Sequence, residues 1–295
     1  MRITDGMLMA DMQLDQSRDA QALAQVSQQS ASGDMISEPS DDPTGFGTLV
    51  SFDSRLTIMQ GRSTLALTAS NNLDTATGAL SSAGNLLDQA QQIALVAANG
   101  TDDPASRAVA ANQVNGLIQQ MITLGNTEGA DGYVFGGTST STPPFDATGT
   151  FSGNGGVTQV AVADGVLLDS NVSGADAFTS AGGGSNVIAD MQTLATALSS
   201  NDVPTITSSI GQMESDREQV TAVMVQGGAA SASLQASAQL LTSLTTSTQT
   251  ARAAIDNSAT PAVYSELQST QTAYQAALSV TQQILSIESF SGSAV

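Results

Sequence analysis

The side chains in this sequence that could do chemistry are almost all carboxylates. The chain of 295 residues has 27 acidic and 7 basic residues, all seven of them arginines, and it contains no lysine, histidine or cysteine. These absences exclude a Cys/His zinc site, a thiol nucleophile, a Ser-His-Asp triad, a complete P-loop and a Schiff-base lysine. A carboxylate hydrolase stays open as a remote alternative, and it would need an acid pair that converges in a cleft within residues 125–185.

Two acid pairs stand directly before a proline, in Ser40-Asp-Asp-Pro43 and Thr101-Asp-Asp-Pro104. An aspartate at or beside the N-cap accepts backbone N–H bonds, and proline has a helix-compatible φ at the first helical position. A carboxylate metal pair is the alternative, but neither pair has a further acid at ligand spacing. We therefore predict two helix starts and no catalytic, cofactor or metal site.

The net charge of −20 argues against anionic partners. An acidic chain without a basic patch cannot neutralise phosphates, which disfavours nucleic acid and anionic membrane surfaces. The longest apolar run, Ile93 to Ala98, is far shorter than the roughly 20 residues that a bilayer requires. Residues 1–13 also lack the apolar core of a signal peptide. If the protein leaves the cell, we expect export without a cleaved signal peptide.

Helical periodicity dominates both flanks of the chain. Steps of seven residues from Phe52 fall on apolar residues as far as Ala94, and an alanine column follows three positions later. This heptad pattern predicts a helix from Thr44 to Asn99, about 84 Å long, and a second helix after Pro104 that returns antiparallel to it. Further helical pieces are predicted over 187–198 and 206–213, and a long one over 231–289 that is interrupted near Pro261.

Residues 125–185 are different, because they hold 14 of the 27 glycines. The run Val157 to Ala163 predicts a strand with Val160 and Val162 on one face, followed by a turn at Asp164-Gly165. The glycine content predicts a detachable β-rich module that ends at Gly182 to Ser185.

Each end of the chain carries a sparse apolar stripe that cannot be buried by one helix alone. One interpretation is that the two stripes pair within a single bundle. The other is that they are assembly surfaces, frayed in the monomer and completed by neighbouring subunits. The candidate assembly residues are Ile3, Met7, Leu14, Leu23, Val26, Leu267, Tyr274, Leu278 and Leu285.

The predicted fold is mainly α: a long antiparallel helical rod or coiled coil formed by both chain ends, with an inserted small β-rich domain. We divide the chain into a terminal coiled-coil assembly domain, a helical rod domain and a Gly-rich β domain. Their predicted ranges are 1–40 plus 262–295, 41–130 plus 186–261, and 131–185.

Several of these segments resemble the flagellin superfamily. Gln28 to Gly33 followed by Ser40 to Pro43 is similar to the family's Ser-Gly and Asp-Asp signature before its long helix, and Leu87 to Thr101 resembles the end of that helix. Gly129 to Gly137 and the start Met1-Arg-Ile-Thr4 look like the hook–filament junction branch. Gln89 and Gln91 stand where receptor-recognised flagellins have arginines, so receptor recognition is not implied.

The resemblance implies a non-enzymatic, extracellular structural subunit of the bacterial flagellum, exported through the flagellar type III apparatus. It implies self-association into a ring between the hook-side junction protein and flagellin, and an export chaperone as a further partner. A filament flagellin is the near alternative, and a secreted adhesin with a helical stalk is a more remote one.

Overall fold

The computed structural model describes residues 5–99, 103–256 and 261–291. Long helices dominate it, and the strands form two short antiparallel pairs, β1–β2 and β3–β4. The mainly α fold with a small β-rich part is confirmed. Along the chain the elements are α1 (Asp5–Ser32), α2 (Pro43–Ala97), α3 (Pro104–Gly125), β1 (Glu128–Gly129), β2 (Gly132–Tyr133), β3 (Gln159–Ala163), β4 (Val166–Asp169), α4 (Gly174–Phe178), a 3₁₀ turn (Ser180–Gly182), α5 (Val187–Ser200), α6 (Val203–Ile255) and α7 (Pro261–Ser291).

Aspartate caps begin α2 and α3, as the two acid pairs predict. The Asp42 carboxylate accepts the Thr44 N–H at 3.0 Å, just before α2. Asp103 is the N-cap of α3 and accepts the Ser106 N–H at 2.6 Å. These bonds satisfy helix-terminal N–H groups that have no partner within the helix. The capping interpretation is confirmed for both aspartates, while residues 101 and 102 lie outside the described residues.

Helix α3 returns along α2. At its start, the Arg107 guanidinium Nε donates to the Ala97 carbonyl at the end of α2, at 2.8 Å. Just beyond the end of α3, the Ala130 N–H donates to the Asn72 side chain, also at 2.8 Å. Asn72 lies on α2, 25 residues before Ala97. The predicted antiparallel pair is therefore confirmed. Leu80 of α2 is fully buried in the same hydrophobic core as the apolar face of α3.

Helix α6 runs from Val203 to Ile255 without a break, whereas the sequence pattern predicted separate pieces over 206–213 and 231–289. Gly227-Gly228 lies between the two predicted pieces and is part of the continuous helix. A Cβ on Gly227 would lie 2.9 Å from a methyl carbon of Val172 and 3.0 Å from that of Thr77 on α2. Glycine at 227 therefore permits close approach to these neighbours rather than ending the helix.

The described residues form two compact units. One contains described residues of 1–57 and 245–295, and the other contains described residues of 58–244. Within the second unit α6 lies antiparallel to α2: the Ser231 hydroxyl donates to Asp74 at 2.6 Å, and Gln91 donates to the Ile210 carbonyl at 3.2 Å. Division into assembly, rod and β domains stays a prediction, since compactness does not test independent folding.

The glycine-rich segment is part of the second unit's core. Phe135 and Phe178 are fully buried and meet edge to face, with ring centroids 5.2 Å apart. Phe145 packs on Phe178 at 5.6 Å, and all three rings belong to the same core as Leu80 and Met191 of the helices. This packing argues against the expected detachable module, which the glycine count favoured because it ignored how much aromatic area these residues bury.

The strand and turn predicted in this segment are confirmed. Strand β3 covers Gln159–Ala163 and pairs with β4 in antiparallel register. Val162 is buried and Val160 is half-buried on the same face. Asp164 and Gly165 form the two-residue turn, and Gly165 has φ +76°, which residues with a Cβ rarely adopt.

Candidate assembly site

Helices α1 and α7 pack against each other in the first unit, but they bury little apolar surface there. Their buried apolar side chains among the described residues are Val26 and Val263, which are 8% and 3% exposed. Buried apolar side chains provide most of the free energy that holds two helices together, and each contributes roughly 1.5–3 kcal/mol when it is fully buried. The described side chains therefore bury little apolar surface for helices of 28 and 31 residues.

Several large apolar side chains of this helix pair face solvent. Met7 and Leu14, seven residues apart on α1, are 62% and 52% exposed. Tyr264 and Val280 on α7 are 61% and 51% exposed. Residues seven apart lie on the same side of a helix, so the α1 pair forms one stripe. This solvent-facing apolar set is the surface that neighbouring subunits would cover in the second interpretation of the chain ends.

The structure divides the nine predicted assembly residues into four groups. Val26 is buried in the pair, while Leu23, Leu267, Tyr274 and Leu278 are half-buried. Met7 and Leu14 are exposed. Ile3 lies outside the described residues, and Leu285 lies within α7 although its side chain is not among those described. Pairing of the ends and an exposed assembly stripe therefore coexist, and the assembly role of these residues stays a prediction.

A polar network that the sequence reasoning missed joins the other elements of this unit. The Asp256 carboxylate is buried and accepts the backbone N–H groups of Met35 at 2.8 Å and Ile36 at 3.0 Å. The Arg252 guanidinium lies 3.6 Å from the other Asp256 oxygen and donates through Nε to Asp53 on α2 at 2.7 Å. The hydrogen bond with Asp53 raises the pKa of Arg252. No sequence motif marks this network, because the residues that it joins to Arg252 and Asp256 lie 199 to 221 positions away from them.

A second carboxylate organises residues 33–42, which connect α1 to α2. One oxygen of Asp41 accepts the N–H groups of Ser37 at 2.9 Å and Glu38 at 3.1 Å. These backbone bonds hold the pKa of Asp41 below its usual range. Its other oxygen accepts the Gln25 side-chain amide from α1 at 2.8 Å. The sequence assigned Asp41 to a helix cap, and the structure instead makes it the centre of this connection.

An acid pair does converge in the structure, but not in the cleft that a hydrolase would need. Gln212 on α6 donates one amide nitrogen to Asp190 at 3.2 Å and to Asp216 at 3.3 Å. Asp216 is fully buried, so no substrate reaches it, and both acids lie outside residues 125–185. Within the described ranges, no group of three or more acidic, histidine or cysteine side chains has the arrangement of a metal site.

The described helices also include none that combines the length and the hydropathy of a membrane span.

Known proteins similar to this chain are flagellar. Residues 4–140 match the bacterial flagellin N-terminal helical region. Hook-associated protein 3 of Escherichia coli K12 is 32% identical over 120 residues, which cover 40% of this chain and 38% of that protein. The corresponding Salmonella typhimurium protein is 31% identical over 131 residues, covering 43% of this chain and 41% of that protein. The matched segments thus span about two fifths of the length of these relatives.

Solved structures extend the likeness to more of the fold. A flagellar hook-associated protein 3 from Legionella pneumophila has a TM-score of 0.60 at 13% identity, over 68% of this chain and 96% of that one. Bacillus cereus FlgL has a TM-score of 0.58 at 16% identity, over 70% of this chain and 99% of that one. At these identities the likeness concerns the fold alone. The resemblance predicted from the sequence is confirmed: the chain is similar to the bacterial flagellins in its N-terminal part, and to hook-associated protein 3 in sequence and fold.

Proposed function

We propose that this protein is a structural subunit of the bacterial flagellum that forms the junction between hook and filament. The observation that carries the proposal is the surface of the terminal helices. They pair, yet Met7, Leu14, Tyr264 and Val280 remain mostly exposed in the isolated chain. A subunit that is completed by its neighbours has a reason to keep such a surface, because association then buries it. The similarity to hook-associated protein 3 supports the same role.

In this proposal the chain acts outside the cell without catalysis, after export through the flagellar apparatus without a cleaved signal peptide. Its partners are further copies of itself in a ring, the hook-side junction protein, flagellin and an export chaperone. Ordering of the chain ends on assembly would be coupled folding and binding, with the interfaces offsetting the entropy that is lost. The uniform negative charge is consistent with protein partners rather than nucleic acid.

Electron microscopy of a strain without this gene tests the proposal. We expect hooks without filaments, together with flagellin monomers in the medium. If the protein were instead a filament flagellin, the near alternative, the deletion strain would have bare hooks. Its medium would then contain the other secreted flagellar proteins but no flagellin monomers. Filaments of normal length and number in the deletion strain would contradict both roles.

Complementation with two full-length variants locates the assembly surface. Leu14→Ser should restore far fewer filaments than the wild type, since it removes apolar area from the exposed stripe. Leu95→Ser is the matched control, because Leu95 on α2 is also 52% exposed but lies outside the terminal helices. Equal rescue by both variants would show that the stripe on α1 does not serve assembly.

A further inference from the structure

The connection from α1 to α2 is held at both ends and is not a free linker. Gln25 on α1 donates to Asp41, and Gln29, one turn later, donates to the Met35 carbonyl at 3.0 Å. Both bonds fold side chains of α1 back onto the chain that follows it. Asp256, at the end of α6, fixes the same segment from outside through the Met35 and Ile36 N–H groups.

A carboxylate is the group that suits the position of Asp256. One of its oxygens accepts two backbone N–H groups, and the other faces the Arg252 guanidinium. An asparagine could keep only one side of this arrangement, because its NH₂ group would face either the N–H donors or the guanidinium. Hydrogen bonds to a charged acceptor are also about twice as strong as neutral ones.

The contacts of Asp256 with Met35, Ile36 and Arg252 form what we call the clamp. Arg252 extends this clamp to a third element. Its guanidinium lies between Asp256 and Asp53, so α2, the end of α6 and the connecting segment are linked through successive charged contacts. Asp256 itself is 5% exposed, which limits competition by water at its own contacts, whereas the Asp53 side chain is 53% exposed. Every member of this network belongs to the unit that contains α1 and α7.

We propose that Asp256 is the positioning residue of the terminal helices: its carboxylate sets the angle at which α1 leaves α2 and so places the exposed α1 stripe for the next subunit. The inference rests on the proposed function in taking assembly to be the use of that stripe. Without the Asp256 contacts, the connecting segment keeps its hydrogen bonds with α1 and the packing of Ile36 beside Gly45 of α2, and α1 then samples a wider range of directions. Its stripe would meet a neighbour correctly in only a fraction of encounters, which lowers the apparent affinity by that fraction.

Hydrogen exchange on full-length Asp256→Asn tests the positioning step. We expect the Met35 and Ile36 amides to exchange about tenfold faster or more, while the Leu80 amide is unchanged. Glu38→Gln is the matched control, because it removes the same charge from an exposed residue of the same connection. Unchanged exchange at Met35 and Ile36 in Asp256→Asn would overturn the inference. If Leu80 exchange also rises, Asp256→Glu, which keeps the charge and moves it by one methylene, replaces the asparagine variant.

Filament counts in the complemented deletion strain test the consequence for assembly. Asp256→Asn should give several-fold fewer filaments, and Glu38→Gln should match the wild type. Faster exchange with a normal filament count would also overturn the positioning role. Leu14→Ser separates the two proposals: normal assembly by that variant refutes the stripe as an assembly surface, whereas the exchange data on Asp256→Asn still decide whether the clamp orders the connection.

Discussion

The Ser185 hydroxyl donates a hydrogen bond to the buried Asp216 carboxyl of α6, whose second oxygen has no hydrogen-bond partner within the described part of the chain. Ser185 belongs to the segment that sequence analysis assigned to a linker leaving the glycine-rich residues. The contact instead fixes this segment to the helical core. An unpaired buried carboxylate oxygen is costly, so the site favours the protonated acid.

Stability should depend on pH through Asp216. Burial, with the nearby charge of Asp190, raises its pKa to about 6 from 3.8. The folded state therefore binds the proton more tightly, and the free energy of unfolding falls as pH rises from about 4 to above 6. Asp216→Asn should stabilise the protein by about 1–3 kcal/mol at pH 7.5 and by much less at pH 4.5. Urea denaturation at both pH values measures this, with the exposed Glu214→Gln as control. The same stability change at both pH values would show that Asp216 does not titrate as described.

Leu80 tests the packing of α2 in the core. Leu80→Asp places a charge where the side chain is fully buried, and it should lower the free energy of unfolding by about 4 kcal/mol or more. Leu67→Asp on the same helix is the control, because Leu67 is 48% exposed and its replacement should cost well under about 1 kcal/mol. Thermal or urea unfolding followed by circular dichroism measures both, and similar values for the two would contradict the helical core.

Phe178 tests whether the glycine-rich segment is integral to the second unit. Phe178→Ala should cost about 3–5 kcal/mol, because it leaves a cavity between two other rings and the helices. Leu167→Ala, on the exposed face of β4, should be nearly neutral. Replacement of residues 140–180 by a short Gly/Ser link should likewise reduce the helical signal. Full helical content and unchanged stability after that replacement would show that the segment is a detachable module.

Self-association should strengthen with salt. Each chain carries a net charge of −20, so approaching copies repel each other, and at about 0.15 M salt this repulsion is screened beyond roughly 8 Å. Sedimentation of the purified chain at low and at physiological ionic strength measures the effect. Weaker association at the higher ionic strength would mean that ion pairs across the interface, rather than apolar contacts, hold the subunits together.

The long elements could be predicted from the sequence because their signals are local and repeated. The heptad from Phe52 placed α2 within two residues of its observed ends, and Asp103 before Pro104 marked the start of α3. The turn at Gly165 is equally local. Each of these features depends on residues only a few positions apart, where propensity, capping and periodicity agree.

The errors concern residues whose partners are far apart in the chain. Helix α6 continues through Gly227, where Thr77 and Val172 leave little room for a side chain. Phe178 of the glycine-rich segment belongs to the hydrophobic core together with residues of helices that precede and follow this segment in the sequence. Asp256 was not singled out at all, because the backbone N–H groups that donate to it lie 221 and 220 positions away. Single-sequence patterns carry no information on such pairings.

Amide exchange on the terminal helices tests the central claim most directly, in the free full-length chain and in isolated hook–filament complexes. Leu14 is mostly exposed and Leu278 half-buried, whereas Leu80 is fully buried. The account predicts fast exchange at Leu14 and Leu278 in the free chain, slow exchange at Leu80, and strong protection of all three in the complex. Exchange at Leu14 and Leu278 that is already as slow as at Leu80 in the free chain would contradict it, because the ends would then be ordinary core that needs no neighbour.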